Sequence, residues 1–377
     1  MQTHYAAHWA PASAHLAGIH VSIALGSPGG SVVFTRTSIL KPIQVLLWGV
    51  SSLGGCHDCR HQAWLEQTLH HSFRLRISPP PSDKAFAFAL AEAAEFGADL
   101  IIFHAYDSLD MVASEDPAIR GYDYATARTQ KHRLEPLAQR AMNIGVHCKI
   151  VLRPGSAAEQ ILAFLRERKI DRIVMGAHSP GPVGRLLVGS VAETVLRTAN
   201  VPVCIVGPNV VEVTYRNRVS RKILCDVSKQ EASKVVANFG AELAATHNAG
   251  LILHRVIPPQ ERVEILGDRT IDQVEAELPS LVPVELKHKV SVRTRVVLGD
   301  PAEELLYQGR AQQANLIVLG AHGASHFAAV TRAGTVYKIL AYAHCPVITL
   351  SPIVLAECGA KEDKPCLSEV NYMAGVF

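Results

Sequence analysis

The sequence predicts an α/β protein made of two tandem domains, each an open parallel sheet of five strands with helices on both faces. Three observations carry this. At 377 residues the chain exceeds the roughly 100 to 200 of a typical single domain. Asp171 to Val206 and Ala314 to Leu350 are two copies of one pattern: an apolar run, Gly-Ala-His, a helix-like stretch and a strand containing Cys, Pro and Val. Within each copy short apolar strands alternate with amphipathic helices, as in a parallel sheet covered on both sides.

The repeat is in register. Gly176 matches Gly320 and Pro202 matches Pro346, both 144 positions apart. Upstream, Ala98 to His104 matches Ala249 to His254, and Gly155 to Leu162 matches Gly299 to Leu306. In the second copy the pattern predicts strands near 222–226, 251–256, 288–297, 315–320 and 346–350. Helices fall near 230–247, 268–279, 301–313 and 330–342. The first copy repeats this order from a helix at Lys84 to Glu95, with strands near 100–105, 147–152, 172–176 and 202–206. The domains are therefore expected at 76–207 and 218–352, joined by a linker at Pro208 to Asn217. Residues 1–75 have no counterpart, and 353–377 read as a mixed-polarity tail, so both ends are expected to be poorly ordered.

With 48% hydrophobic and 19% charged residues the chain should pack rather than stay disordered. A net charge of +3, with basic and acidic residues interspersed, gives no phosphate-tracking stripe, so no nucleic-acid partner is assigned. No apolar run approaches the ~18 residues of a membrane span, and a cytoplasmic protein is expected. Cys148, Cys204, Cys225 and Cys345 sit in apolar strand-like runs, where buried free thiols in a reducing compartment explain them better than disulfides.

In an open parallel sheet, ligands bind beyond the carboxyl ends of the strands, where the strand order reverses. Gly176 and Gly320 end strands at such positions, and glycine there permits close backbone approach to a phosphate held by helix N–H groups. The spacing Gly176, Ser179, Gly189-Ser190, followed by Val191 and the closing Pro202-Val203 strand, resembles the signature of the universal stress protein family. With the repeat, the resemblance covers residues 82 to 350 and implies two Rossmann-like domains of the adenine nucleotide α-hydrolase type. It further implies ATP as ligand, with phosphates and ribose at Gly176, Gly189, Ser190 and Val191, the base near the backbone of Ala105, and an aspartate ending the first strand at the adenine end. The same resemblance implies that the last strands of the two domains pair antiparallel about a pseudo-twofold axis, with a homodimer as a further option.

The pattern departs from that signature in places. Ser179 replaces its second glycine, and Pro180 and Pro182 bring no N–H groups to the loop. The second copy keeps Gly320 and Gly323 but places Gly334-Thr335 one residue late, a rotation of about 100° on a helix. By family spacing the aspartate position falls on Ile77 in the first copy and on Ser228 in the second, with Asp226 two residues early. A shifted reading frame upstream of Ser82 would account for the lead-in from Arg76 to Pro81, and an in-frame DNA read would exclude it.

His178 and His322 recur at one position and could face a ligand or hydrogen-bond their own loop. Arg185 could pair a phosphate oxygen or lie solvated on its helix. His104 and His254 are expected to satisfy backbone groups near the carboxyl edge. Cys56-His57-Asp58-Cys59 with His61 lacks a second ligand pair at finger spacing, so no metal is assigned. No nucleophile elbow, HExxH or P-loop is present, which leaves three readings: a nucleotide-sensing regulator, a nucleotide-free scaffold, or a slow ATP hydrolase.

Overall fold

The structure is a computed structural model that describes residues 30–35, 44–48, 81–106, 117–177, 189–211, 221–228, 230–321 and 334–359. Expectations for Ser179, His178, Arg185, Gly323, His322 and Cys56 to His61 fall outside these residues.

The second half supplies strands β7 (Lys222–Asp226), β8 (Gly250–Ile257), β9 (Val292–Leu298), β10 (Leu316–Gly320) and β11 (Val347–Leu350). The first half supplies β1 (Gly30–Thr35), β2 (Gln44–Trp48), β3 (Asp99–Tyr106), β4 (Cys148–Pro154), β5 (Arg172–Gly176) and β6 (Val203–Val206). Hydrogen bonding orders them as one eleven-stranded sheet, β4-β3-β1-β2-β5-β6-β11-β10-β7-β8-β9. Each half is a five-stranded parallel array whose order reverses beside its first strand, at β2/β5 and at β7/β10. The first half carries β1 in addition, an antiparallel strand not foreseen in the sequence.

Residues 44–48 are a correction. β2 pairs parallel with β3 and β5, as β7 pairs with β8 and β10, so this segment takes the place of the first strand. The apolar run Val45-Leu46-Leu47-Trp48 suits a strand with neighbours on both sides. The tail is corrected likewise: Pro352–Gly359 is helical and buries Val354 and Leu355. Ser351 caps it by accepting from the Val354 N–H, and Pro352 needs no partner at the first helical position.

The helices follow local chemistry. In the first half they are α1 (Pro81–Phe96), α2 (Pro117–Asn143), α3 (Ala157–Glu167) and α4 (Ser190–Thr198). The second half begins with α5 (Gln230–Thr246), whose Gly240 lies directly over the Cys225 thiol, where a Cβ would come within 2.1 Å of the sulfur. The expected helix at 268–279 is instead a chain of short pieces, α6 (Arg262–Leu266), α7 (Ile271–Glu277) and α8 (Val284–Lys287). Gly267 with φ 55° breaks the first from the second, and Thr270 with Gln273 forms a capping box that starts α7 afresh. The expected strand start at 288 moves to 292 for the same reason, because α8 and a turn occupy the preceding residues. α9 (Pro301–Ala311) is capped by Asp300, which accepts from the Ala302 and Glu303 N–H groups, and α10 (Thr335–Tyr342) precedes β11.

The halves join through β6 and β11, which run antiparallel with Cys204 opposite Ile348. All four residues of β6 are fully buried. The start of the expected linker is packed rather than free. Val210 is buried, Asn209 donates to the Ala341 carbonyl and the Val211 N–H to that of His344. Ser351 Oγ donates to the Ala199 carbonyl at 2.5 Å, tying the second half back to the first.

Val203→Asp buries a carboxylate at this seam. A loss of about 3–5 kcal/mol is expected, seen as a lower chemical-denaturation midpoint and faster proteolysis between the halves. An unchanged midpoint would show that the seam does not hold them.

Candidate functional site

At the carboxyl edge of the second half, β7 ends at Asp226 and β10 at Gly320, neighbours across the strand-order reversal. Asp226 is the last residue of β7, two residues before Ser228, where counting placed the acid. Asp226 Oδ1 accepts from the Ser228 N–H at 3.0 Å and from its hydroxyl. Ser228 Oγ in turn accepts from the Val256 N–H at 2.8 Å. The acid therefore stands at the strand end, with one oxygen committed to its own turn.

Gly189 and Gly334 occupy the N-cap positions of α4 and α10, with φ, ψ of −66°, 161° and −67°, 156°. Glycine gives neither helix a side-chain cap, so the cap residue itself accepts from none of the first-turn N–H groups. The helix bodies keep the 144-residue offset: Val195 and Leu196 are buried in one, Ile339 and Leu340 in the other. Thr335 thus takes the angular place of Val191 rather than that of exposed Ser190, and the one-residue delay shortens the helix without turning it.

Gly176 is buried at the end of β5, and Ala105 is fully buried one residue before the end of β3, so only its backbone could meet a ligand. Gly320 has a packing reason of its own. A Cβ there would lie 2.9 Å from the Ala232 Cβ and 3.1 Å from Val236, both on α5.

The histidine expectation needs correcting. Paired backbone bonds, Ala98 to Ala93 and Ala249 to Ala244, set a 151-residue offset in this region. Left-handed residues closing the two helices, Gly97 at φ 60° and Asn248 at φ 49°, agree. Phe103, not His104, is the counterpart of His254, and a one-residue step in a strand reverses the face. Both histidines lie inside their strands and are buried. Burial lowers each to about 4, with Arg133 and Arg295 adding to the effect. Neither ring nitrogen of His254 has a partner among the described residues, so it satisfies no backbone group there.

The four cysteines expected to be free are free. Cys204, Cys225 and Cys345 are buried and desolvation pushes their thiols up, whereas Cys148 is only half-buried and raised to about 12. Among the described residues one group, Glu92, Glu95 and His247, brings carboxylates and an imidazole together as a metal site would. Arg172 and Arg221 already neutralise those carboxylates, which makes it an ion-pair cluster. A groove of about 800 Å³ beside Cys148 to Val151 and α2 is open and lies on the outer edge strand, away from both strand-end glycines. No helix among the described residues is long and apolar enough to cross a membrane.

Fold and site together define a tandem doubly wound α/β protein whose halves place related strand ends and helix starts in corresponding positions. The profile of the universal stress protein family matches residues 78–207 and 220–351, and the chain belongs to that family. A universal stress protein from Thermus aquaticus is 35% identical over 124 residues, covering 33% of this chain and 88% of that protein. One from Mycolicibacterium smegmatis is 23% identical over 286 residues, spanning 73% of this chain and 95% of its own length. A solved universal stress protein from Archaeoglobus fulgidus superimposes with a TM-score of 0.53 at 16% identity, over 72% of this chain and 93% of that one, and so shares the fold.

Two outcomes follow from the packing. Gly320→Ala should cost about 1–3 kcal/mol of stability with no ligand present, read by denaturant unfolding, because α5 leaves no room for the methyl. For His254, an unfolded imidazole takes a proton near pH 6.5, while the folded one refuses it until about 4. Stability is therefore complete above 6.5 and falls as pH drops from 6.5 to 4, by on the order of 3 kcal/mol. His254→Phe, the residue its counterpart position carries, should flatten that limb of a melting-temperature profile; an unchanged limb would remove His254 as its source.

Proposed function

We propose that the chain binds adenine nucleotide, ATP, at the carboxyl edge of its sheet and serves stress-response regulation from the cytoplasm without dedicated catalysis. The observation that carries this reading is the start of α4. Gly189 leaves the helix uncapped, Ser190 presents an exposed hydroxyl in the family's register, and both lie downstream of the strand end at Gly176. Such a start supplies free N–H donors and a favourable dipole for phosphate oxygens. Family membership supports the same ligand class.

A second reading, a nucleotide-free scaffold, is favoured by one observation. The first strand of the first half, Gln44-Val45-Leu46-Leu47-Trp48, ends without the acid that Asp226 supplies in the second. The two readings separate on ATP titration of the full chain by calorimetry. Nucleotide binding is proposed to be tighter in the first half. Gly189→Trp with Ser190→Ala should then weaken binding by roughly 10- to 150-fold per charge-assisted bond lost, at about 1.5–3 kcal/mol each. Gly334→Trp with Thr335→Ala should change it little. The opposite ranking would move the site to the second half, and no heat from wild type would establish the scaffold.

A further inference from the structure

The seam between the halves runs along a pseudo-twofold axis, and equivalent residues near such an axis meet each other. Three such meetings are present. In the sheet Cys204 faces Ile348, 144 residues on. On one helical layer Glu193 accepts a hydrogen bond from the hydroxyl of Tyr337, again 144 residues on. On the other layer the rings of Phe96 and His247, equivalent at the 151-residue offset, stack edge-to-face at 4.6 Å. At none of the three does a residue type meet itself.

Beside Phe96 and His247 lies the ion-pair cluster. Glu95 takes a two-pronged bond from Arg221, at 2.6 and 2.7 Å, and Glu92 is held by Arg172 at 3.2 Å. Arg221 also donates to His247 Nδ1 at 2.9 Å, and desolvation together with both arginines keeps that imidazole neutral, lowered to about 3. The first half brings two carboxylates and one guanidinium to this cluster. The second half brings the remaining guanidinium. Joined as they are, two carboxyl groups meet two guanidiniums in a site where Arg172 and Arg221 are only 3% and 8% exposed. Two first halves facing each other would bury four carboxyl groups against two guanidiniums and set Glu193 against Glu193. Two second halves would set each Arg221 opposite Thr246, the counterpart of Glu95 at the 151-residue offset, and leave both guanidiniums without a carboxylate.

We propose that this surface is heterospecific: each half is built to accept the other half and to reject a second copy of itself. Discrimination comes as much from the repulsive alternatives as from the bonds formed. The universal stress protein seam of this chain is therefore closed to homodimerisation, and any self-association uses another surface.

The test uses full-length protein. Glu95→Arg sets two guanidiniums face to face, and at least a tenfold faster protease cleavage between residues 207 and 221 is expected. Arg221→Glu alone should do the same. The charge-swapped double variant, E95R with R221E, should return cleavage to within about twofold of wild type. Should E95R fail to fold, Tyr337→Glu, which opposes two carboxylates, and its rescue by Glu193→Lys read the same property on the other layer. Rescue in either pair supports heterospecific recognition. Single variants that stay closed, or a swap as labile as its parents, would overturn it and leave the strand pairing as sole determinant.

Discussion

The antiparallel pairing of β6 with β11 is the contact on which the rest of the molecule depends. Each half alone would present a wholly buried apolar strand as an open edge, and edges of that kind invite indiscriminate pairing. Joining the two edges removes both at once and makes one sheet with a single continuous core. It also fixes everything that flanks the seam. The helices α4 and α10 come into contact at their first turns, α1 meets the end of α5, and the segment after β6 is pinned along the far half.

Much of this was legible in the sequence, and the reason is periodicity. A repeat implies two copies of one fold, and the family resemblance implied that the strands closing the copies pair at the seam. What failed is instructive. Matching Ala98–His104 to Ala249–His254 hid a one-residue step, because both segments end in histidine; only the backbone bonds show that Phe103 stands opposite His254. Residues 44–48 escaped notice because a five-residue apolar run carries no period of its own, and its role is defined by the strands on either side. The break-up of the 262–287 region depended on Gly267 and a capping box, local signals outweighed by a longer amphipathic pattern.

The site was legible to a smaller degree. Glycine reads the same whether it makes room for a phosphate or for a helix, and at Gly320 the neighbouring Ala232 and Val236 account for it without a ligand. At Gly189 and Gly334 the opposite holds. An N-cap position ordinarily favours a side chain that accepts from the first turn, and glycine forgoes that bond. Two helices that both forgo it, each the helix before the last strand of its half, are the ground on which a ligand at those donors is proposed.

Fusion of two copies changes what each must preserve. In a symmetric dimer every substitution occurs twice, so a change that helps one side of the axis meets itself on the other. In a tandem chain the copies separate, and a glutamate can face a tyrosine or an arginine a glutamate. The same freedom reaches the strand ends and helix starts. The first half keeps the hydroxyl at the start of its last helix in phase and has no acid at the end of its first strand. The second half keeps Asp226 at that strand end and carries its hydroxyl a hundred degrees away around the helix. Neither half therefore carries both of the features that the family resemblance implies. The buried charges at the axis, which match only between unlike halves, set these two differing halves against each other.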